Sequence, residues 1–272
     1  RTVTRDIFGP RRAARALSLI AMLMAVGPAV APILGGVVLL VLPWPVIFLF
    51  LACYGVLMIF LLQVYLSESL PARQSLHPLS IARNYMQLIV DPSYLSVTLA
   101  SAAVYSGLLA YLSSASFVYI EMLGVPVQYF GFIFLSTVAG YVGGSGVSAR
   151  MASRYDSQQT MLLGALLCLL TTIIMWTGAT LLTNNIWILM LPMTIYAVGM
   201  GLVLPHAMAI ALAPFPHIAG TASALLGFIQ MGLSAIGTAA VGAMLKDSPQ
   251  PMLAAMFVIN LAAAILSLKA YR

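Results

Sequence analysis

Uncharged polar side chains interrupt the long apolar stretches of this sequence, and six of them could donate or accept a hydrogen bond far from bulk water. A polar group at membrane depth faces either a neighbouring helix or a water-filled cavity, because hydrocarbon offers it no partner. Two alternatives stay open, hydrogen bonds between helices for the glutamine and the asparagine among them, and anchoring at a membrane surface for some of the tyrosines. As candidates for contacting a solute in such a cavity we take Tyr105, Tyr111, Tyr141, Tyr196, Gln230 and Asn260.

Titratable groups are scarcer in these stretches, which limits any chemistry that moves a proton. Coupling to protons needs an acid or base at membrane depth, and none of the six Asp and Glu residues clearly meets that condition. Glu121 comes nearest, although an interfacial position suits it better. His206 could titrate near neutral pH, although a hydrogen-bonded structural histidine is the simpler interpretation.

Motifs for catalysis, metal binding and nucleotide binding are absent from the sequence. It contains no CxxC, HExxH or GxxxxGK[ST] pattern, so it lacks the signatures of common zinc sites, metalloproteases and ATP-driven pumps. Cys53 and Cys168 each lie alone in an apolar stretch and suit hydrophobic packing. The sequence therefore predicts neither an enzyme nor a metal site.

The polar side chains are positioned by the long apolar stretches that contain them. The length of these stretches predicts membrane-spanning helices. Of the 272 residues, 62% are hydrophobic and 7% are charged, against about 25% charged in ordinary soluble domains. A helix needs about 20 apolar residues to cross a bilayer. We therefore predict an all-α polytopic membrane protein with eight transmembrane helices, at about 14–42, 46–66, 94–120, 129–149, 160–182, 186–212, 219–245 and 250–271.

Basic residues determine the predicted orientation of these spans. All 12 Lys and Arg residues except Lys246 fall on one side, which also holds both termini and the polar segment between the second and third spans. Because basic residues concentrate in cytoplasmic loops, we predict that both termini and that segment are cytoplasmic. The net charge of +6 is then a signal of topology, and no nucleic-acid partner is expected.

An internal repeat indicates how the spans are grouped. Residues 10–66 align without a gap with residues 216–272, and the matching positions include prolines at 10 and 216 and glycines at 36 and 242. The first span thus corresponds to the seventh, so the repeat unit is six helices, which resembles the parallel halves of major facilitator transporters. We expect residues 1–66 to end one half, residues 67–93 to form a central cytoplasmic loop, and residues 94–272 to form the second half.

A stretch rich in glycine and proline in the first span, AVGPAVAPILGG at 25–36, resembles the antiporter motif of drug:proton antiporters in the major facilitator superfamily. Three segments resemble the bicyclomycin/chloramphenicol-resistance (Bcr/CflA) branch: RTVTRD at 1–6, YLSSASFVYIEMLGVPVQYFGFIF at 111–134 and APFPHIAGTASALLGFIQ at 213–230. On this resemblance the spans are helices 5–12 of a twelve-helix transporter, with the first four helices absent. The motif positions are Gly27, Pro28, Ala31, Pro32, Gly35 and Gly36.

The resemblance implies proton-driven multidrug efflux, a drug:H+ antiport by alternating access across a bacterial inner membrane. The implied partners are small hydrophobic or amphipathic drug-like substrates and the lipid bilayer. A proton is the implied coupling ion, no other cofactor is expected, and the full-length transporter would be a monomer. The main proton carrier would lie in the first four helices. Export of an endogenous sugar, amino acid or polyamine on the same fold, and an inactive fragment, stay open as alternatives.

Two groups of residues take expected roles from the same resemblance. The antiporter motif would pack its helix against the other half and limit leak, with a kinked packing helix of no special role as the alternative. Five charged residues would latch the cytoplasmic gate, because those near position 150 resemble a degenerate copy of the family's gate loop. The alternative for these five is a solvated cluster at the cytoplasmic surface: Arg5, Asp6, Arg150, Arg154 and Asp156.

Overall fold

The computed structural model of the chain is helical over nearly all of the residues that it describes, which are positions 35, 38, 41–65, 78–152, 154–181, 185–244 and 248–271. These residues form eight α-helices. In chain order the helices are α1 Pro45–Tyr65, α2 Pro78–Val90, α3 Pro92–Ser116, α4 Val127–Met151, α5 Ser157–Leu181, α6 Trp187–Leu212, α7 Ala219–Met244 and α8 Gln250–Tyr271.

Seven of these helices are long and apolar enough to cross a membrane, and α2 is the exception among the described residues. Helix α3 continues as a π-helix over Phe117–Met122. The seven helices begin and end within a few residues of seven predicted spans, because prolines and polar clusters interrupt the apolar stretches there. The all-α membrane fold predicted from the sequence is confirmed. The predicted span 14–42 lies almost wholly outside the described residues.

The segment predicted to be a central loop contains the helix α2. Its first residue is Pro78, a residue type favoured in the first helical turn, where its missing N–H would be unpaired in any case. The 13 residues of α2 extend about 20 Å, which is too short to cross a hydrocarbon core of about 30 Å. This helix was not predicted from the sequence, because a short, partly polar helix contains no long apolar stretch.

Asp91 separates α2 from α3 and turns the chain between them. Its backbone is extended, with φ −76° and ψ 114°, and its side chain accepts a 2.7 Å hydrogen bond from the Tyr94 backbone N–H. This is an N-cap interaction, in which a side-chain oxygen accepts a hydrogen bond from a backbone N–H in the first turn of a helix. The membrane-spanning helix α3 therefore begins directly after α2.

The chain divides into two compact units, Arg1–Ser75 and Leu76–Arg272. In the described part of the first unit the structure shows the helix α1. The second unit contains α2 to α8 and a large core of buried residues drawn from all of these helices.

Helix packing in the second unit is similar in two triplets of helices, α3–α4–α5 and α6–α7–α8. Helix α3 packs most extensively on α7 and α8, whereas α6 packs most extensively on α5 and α4. In addition, α5 packs on α8 and α3 contacts α6. These pairings are unchanged when the triplet α3–α4–α5 is exchanged with α6–α7–α8. Nested triplets of this kind occur within the six-helix halves of major facilitator folds.

Candidate functional site

The structure separates the six polar side chains predicted to contact a solute into two sets. Tyr111, Tyr196 and Asn260 are buried, with at most 1% of each residue exposed. The other three are half-buried, so that part of each side chain is accessible on the surface of the second unit. Only this second set can touch a solute without a change in helix packing: Tyr105, Tyr141 and Gln230.

Tyr196 and Asn260 meet where α6 and α8 face α3. The Tyr196 hydroxyl donates a 2.6 Å hydrogen bond to the Val104 backbone carbonyl and lies 3.2 Å from Asn260 Oδ1. The Asn260 amide nitrogen donates to the Met256 carbonyl at 2.8 Å, which turns the amide oxygen toward the tyrosine. These hydrogen bonds join three helices that are far apart in the sequence.

Gly107 makes this meeting possible. A Cβ atom at position 107 would collide with the Tyr196 hydroxyl oxygen and would lie 3.0 Å from Asn260 Nδ2. We call Gly107, Tyr196 and Asn260 the central polar cluster. Gly107 was not among the residues predicted from the sequence, although a glycine within a long apolar helix is a signal of close helix approach.

Tyr111 pairs with a tyrosine that sequence analysis did not single out. The hydroxyl oxygens of Tyr111 and Tyr119 are 2.9 Å apart, and the two rings meet edge to face with centroids 6.2 Å apart. Both residues are buried, and Tyr119 lies in the π-helix that extends α3. A π-helix of this kind often marks a functional position, but here each hydroxyl of the buried pair has the other as its partner.

Gln230 lies on α7 beside α3. Its Nε2 group donates a 3.3 Å hydrogen bond to Ser101 Oγ, and Ser101 Oγ in turn donates to the Thr98 carbonyl at 2.9 Å. Tyr105 lies one helical turn after Ser101 and therefore on the same face of α3. Two half-buried polar side chains, Gln230 and Tyr105, thus belong to the α3·α7 pair.

Further hydrogen bonds between side chain and backbone connect α3 to α7. The Tyr94 hydroxyl donates to the Ala222 carbonyl at 2.6 Å, and Ser106 Oγ donates to the Leu233 carbonyl at 3.2 Å. The α3·α7 pair is therefore stabilised by hydroxyl and amide groups along much of its length.

Tyr141 lies on α4 at a different kind of contact. A Cβ atom at Gly140 or at Gly144 would collide with a backbone carbonyl of α6, that of Thr194 or of Val198 respectively. From the α6 side, a Cβ at Gly201 would lie 2.9 Å from the Tyr141 carbonyl oxygen. The backbones of α4 and α6 are thus in direct contact, which is the role of small residues in membrane helix pairs.

The charged residues predicted to latch a gate lie partly within the described structure. Arg150, Arg154 and Asp156 are all exposed, in the last turn of α4 and the turn that leads to α5. The Asp156 backbone carbonyl accepts hydrogen bonds from the Thr160 N–H and hydroxyl, at 3.0 and 3.2 Å, which start α5. Gly35, one position of the predicted antiporter motif, is helical. The other predicted residues lie outside the described residues: Arg5, Asp6, Gly27, Pro28, Ala31, Pro32 and Gly36.

The two titratable residues considered for proton transfer have unlike surroundings. His206 is nearly buried and hydrogen-bonds to the backbone of Ser148, which connects α6 to α4. Glu121 is exposed in the π-helix at the end of α3. Among the described residues, the structure contains no group of three or more His, Cys, Asp and Glu side chains that could hold a metal ion.

Comparison with known proteins identifies one matching family and several relatives. Residues 1–238 match the family model of the Major Facilitator Superfamily. The chain is 31% identical to an uncharacterized MFS-type transporter, YdgK, of Bacillus subtilis, in an alignment that covers 95% of the chain and 65% of the relative. It is 28% identical to the bicyclomycin resistance protein homolog of Haemophilus influenzae, over 93% of the chain and 64% of the relative.

A third relative and a solved structure extend the comparison. The chain is 26% identical to multidrug resistance protein D of Escherichia coli, over 95% of the chain and 64% of the relative. Its fold is similar to a crystal structure of a bacterial homolog of the human lysosomal transporter Spinster in an inward-facing, unoccupied conformation. That similarity has a TM-score of 0.61 at 16% identity and covers 97% of the chain and 71% of the solved chain.

The chain spans 64–65% of the length of the three curated relatives. The predicted resemblance to the bicyclomycin-resistance branch is confirmed by the relatives of that kind, and the helices that can cross a membrane show an integral membrane protein. The chain belongs to the Major Facilitator Superfamily of transporters.

Proposed function

We propose that the protein exports drug-like compounds from the cytoplasm across a bacterial inner membrane in exchange for protons. The observation that carries this proposal is the alignment of more than nine-tenths of the chain with relatives named bicyclomycin resistance protein homolog and multidrug resistance protein D. The compound would cross by alternating access, in which two six-helix halves rock about a site between them.

The distribution of charge in the second unit supports drug-like compounds over a charged endogenous solute such as an amino acid or a polyamine. Between Pro92 and Tyr271, Asp, Glu, Lys and Arg residues occur only near helix ends or between helices. An amino acid or a polyamine carries charges that need opposite charges once they leave water. An amphipathic aromatic compound needs apolar surface and a few well-placed hydrogen bonds, which is what these helices offer.

We assign the six polar candidates to two roles. Tyr105, Tyr141 and Gln230 contact the exported compound, because they are the half-buried members of the set. Tyr111, Tyr196 and Asn260 hold the helices together, because they are buried and hydrogen-bonded within the second unit.

The coupling proton is carried by an acid outside α3–α8. No Asp or Glu lies in the middle of these six helices, so the second unit contributes the passage and the hydrogen-bonding groups. Within the same proposal, residues 1–66 end the first half, residues 67–93 connect the halves, and the antiporter motif limits leak. The distribution of basic residues supports cytoplasmic termini. We propose that the complete transporter acts as a monomer.

The full-length gene tests the proposal in a bacterial strain that lacks its main drug exporters. We expect raised inhibitory concentrations for several unrelated lipophilic compounds. In everted membrane vesicles, addition of such a compound should partly dissipate a preformed pH gradient, followed with an acridine dye. Unchanged sensitivity to the whole panel, together with export of a labelled sugar, amino acid or polyamine, would replace drug export by the endogenous alternative. Unchanged sensitivity and no export of any of these solutes would favour an inactive protein.

A further inference from the structure

Helix α2 presents three distinct faces. At about 100° per residue, Leu88, Tyr85 and Asn84 lie on one side, and Leu88 is completely buried. This side packs against α3 and α7. A second side carries the polar residues Ser80, Arg83 and Gln87. The third side carries large apolar residues that do not pack inside the unit, and it is the side that requires an explanation.

The apolar side of α2 is strongly exposed. Met86 is 62% exposed and Val90 is 70% exposed, with Ile89 beside them. Burial of an apolar side chain of this size from water stabilises a structure by about 1.5–3 kcal/mol, so leaving this side in water is unfavourable. An amphipathic helix with a basic residue on its polar face and large apolar residues on another face is typical of helices that lie in a membrane surface.

The position of α2 along the chain places it at the edge of the membrane. One extended residue, Asp91, separates it from α3, and α3 is a membrane-spanning helix that begins at Pro92. The contacts of α2 with α3 and with the first turns of α7 hold it at that level. Its polar side can therefore reach the headgroup region while its apolar side reaches the acyl chains.

A cleft between α2 and α7 extends the apolar side toward the spanning helices. It has a volume of about 550 Å³ and is lined by Tyr85, Ile89, Ala224, Leu225 and Phe228. Ile89 belongs both to the cleft and to the exposed side, and Phe228 is 75% exposed. The lining is almost entirely hydrocarbon, which suits an acyl chain and offers little to a polar headgroup.

We propose that α2 is an interfacial helix that binds phospholipids of the leaflet in which α3 begins. Acyl chains cover Met86, Ile89 and Val90 and enter the cleft beside Phe228. Arg83 lies at the border of the polar and apolar sides, where its long stem covers apolar surface while the guanidinium reaches a headgroup phosphate. This assignment holds whatever compound the transporter carries, since it depends only on the membrane setting.

Nitroxide labels on α2 in the full chain, reconstituted in vesicles of phosphatidylcholine and phosphatidylglycerol, test the proposal. Cys53 and Cys168 are first replaced by alanine, and a single label is attached at Met86→Cys or, as the matched control on the polar side, at the adjacent Gln87→Cys. We expect strong relaxation of the Met86 label by dissolved oxygen and protection from a water-soluble nickel chelate. The Gln87 label should show the reverse.

Two outcomes would overturn the proposal. High access of the nickel chelate to the Met86 label would mean that this side faces water. Low access of both reagents would mean that protein covers it, either the first unit or a second copy of the chain.

The headgroup contact has its own test. With the label at Met86, Arg83→Gln should move the label outward in vesicles that contain phosphatidylglycerol, and by less in phosphatidylcholine alone, because an anionic surface attracts a nearby basic residue. Equal positions with and without Arg83 in both vesicles would contradict the role of Arg83.

Discussion

The helix pairs α3·α7 and α4·α6 are equivalent when the two helix triplets of the second unit are exchanged. Different contacts nevertheless dominate in each pair. In the α3·α7 pair, Tyr94, Ser106 and Gln230 form hydrogen bonds across the contact. In the α4·α6 pair, Gly140 and Gly144 bring one backbone directly against the other. The α4·α6 pair also has a side-chain hydrogen bond, 3.1 Å between the Thr194 and Ser136 hydroxyls. What distinguishes it from the α3·α7 pair is the direct contact of backbones at its glycines.

Because their contacts differ, the two pairs should respond differently to substitutions. A hydrogen bond between membrane helices contributes about 0.6 kcal/mol on average, so the α3·α7 pair can lose one contact and remain associated. The α4·α6 pair leaves no room for a methyl group at Gly140 or Gly144. The half-buried polar side chains Tyr105 and Gln230 belong to the α3·α7 pair, the one whose contacts can adjust. We interpret α4·α6 as the rigid side of the unit.

The largest effect is expected at Gly144. In Gly144→Ala the new methyl group would collide with the Val198 backbone, because the Cα of Val198 lies 2.6 Å from the Cβ position. Overpacking of this kind costs about 1–3 kcal/mol. The midpoint of thermal unfolding in detergent should fall by several degrees. The neighbouring Gly143→Ala is the matched control, since its Cβ would meet no atom within 4 Å; equal midpoints for the two variants would contradict the tight contact.

The second largest effect is expected in the central polar cluster. Gly107→Ala should destabilise the protein by about 1–3 kcal/mol, because the methyl group meets the Tyr196 hydroxyl. Tyr196→Phe removes that hydroxyl and should cost about 0.6–1.7 kcal/mol. The double variant should be less destabilised than the sum of the two, by at least about 0.5 kcal/mol, when all four proteins are unfolded by heat. Simple additivity would show that the two residues do not meet.

A smaller effect is expected for one hydrogen bond of the α3·α7 pair. Tyr94→Phe removes the bond to the Ala222 carbonyl but keeps the edge-to-face contact with Phe215, whose ring centroid is 5.9 Å away. The expected loss is about 0.6 kcal/mol, a small shift of the thermal midpoint. Tyr129→Phe, at an exposed tyrosine of α4, should leave the midpoint unchanged. A loss as large as that of Gly144→Ala would remove the contrast between the two pairs.

The smallest effect on stability is expected at Gln230. Its 3.3 Å bond to Ser101 is long and half-buried, so Gln230→Ala should change the free energy of unfolding by less than about 0.6 kcal/mol. In the full-length transporter the same variant should alter resistance to some compounds and leave others unchanged, because a contact residue acts selectively. A uniform loss of resistance with unchanged protein level would indicate a general role in the transport cycle instead.

The sequence predicted the spanning helices well but not which polar residues meet. Apolar stretches bounded by Pro45, Pro92 or Pro216 specify helices locally, so their positions could be read directly. The pairing of Tyr196 with Asn260 depends on how α6 and α8 are rotated against each other, which no local pattern records. Gly140 and Gly144, a small-xxx-small pair, did carry a signal for close packing. Helix α2 was missed because its apolar residues are too few to suggest a span.

The central polar cluster also has a consequence for how the chain is assembled. Tyr196 and Val104 belong to helices that are synthesised before α8, whereas Asn260 arrives with α8 itself. A buried asparagine amide needs a hydrogen-bond partner in hydrocarbon. The partner here is Tyr196, which is synthesised before Asn260. The second unit therefore gains this connection between α6 and α8 only after α8 has been made. We expect a chain halted before Gln250 to lack that connection and to be cleared faster by membrane proteases.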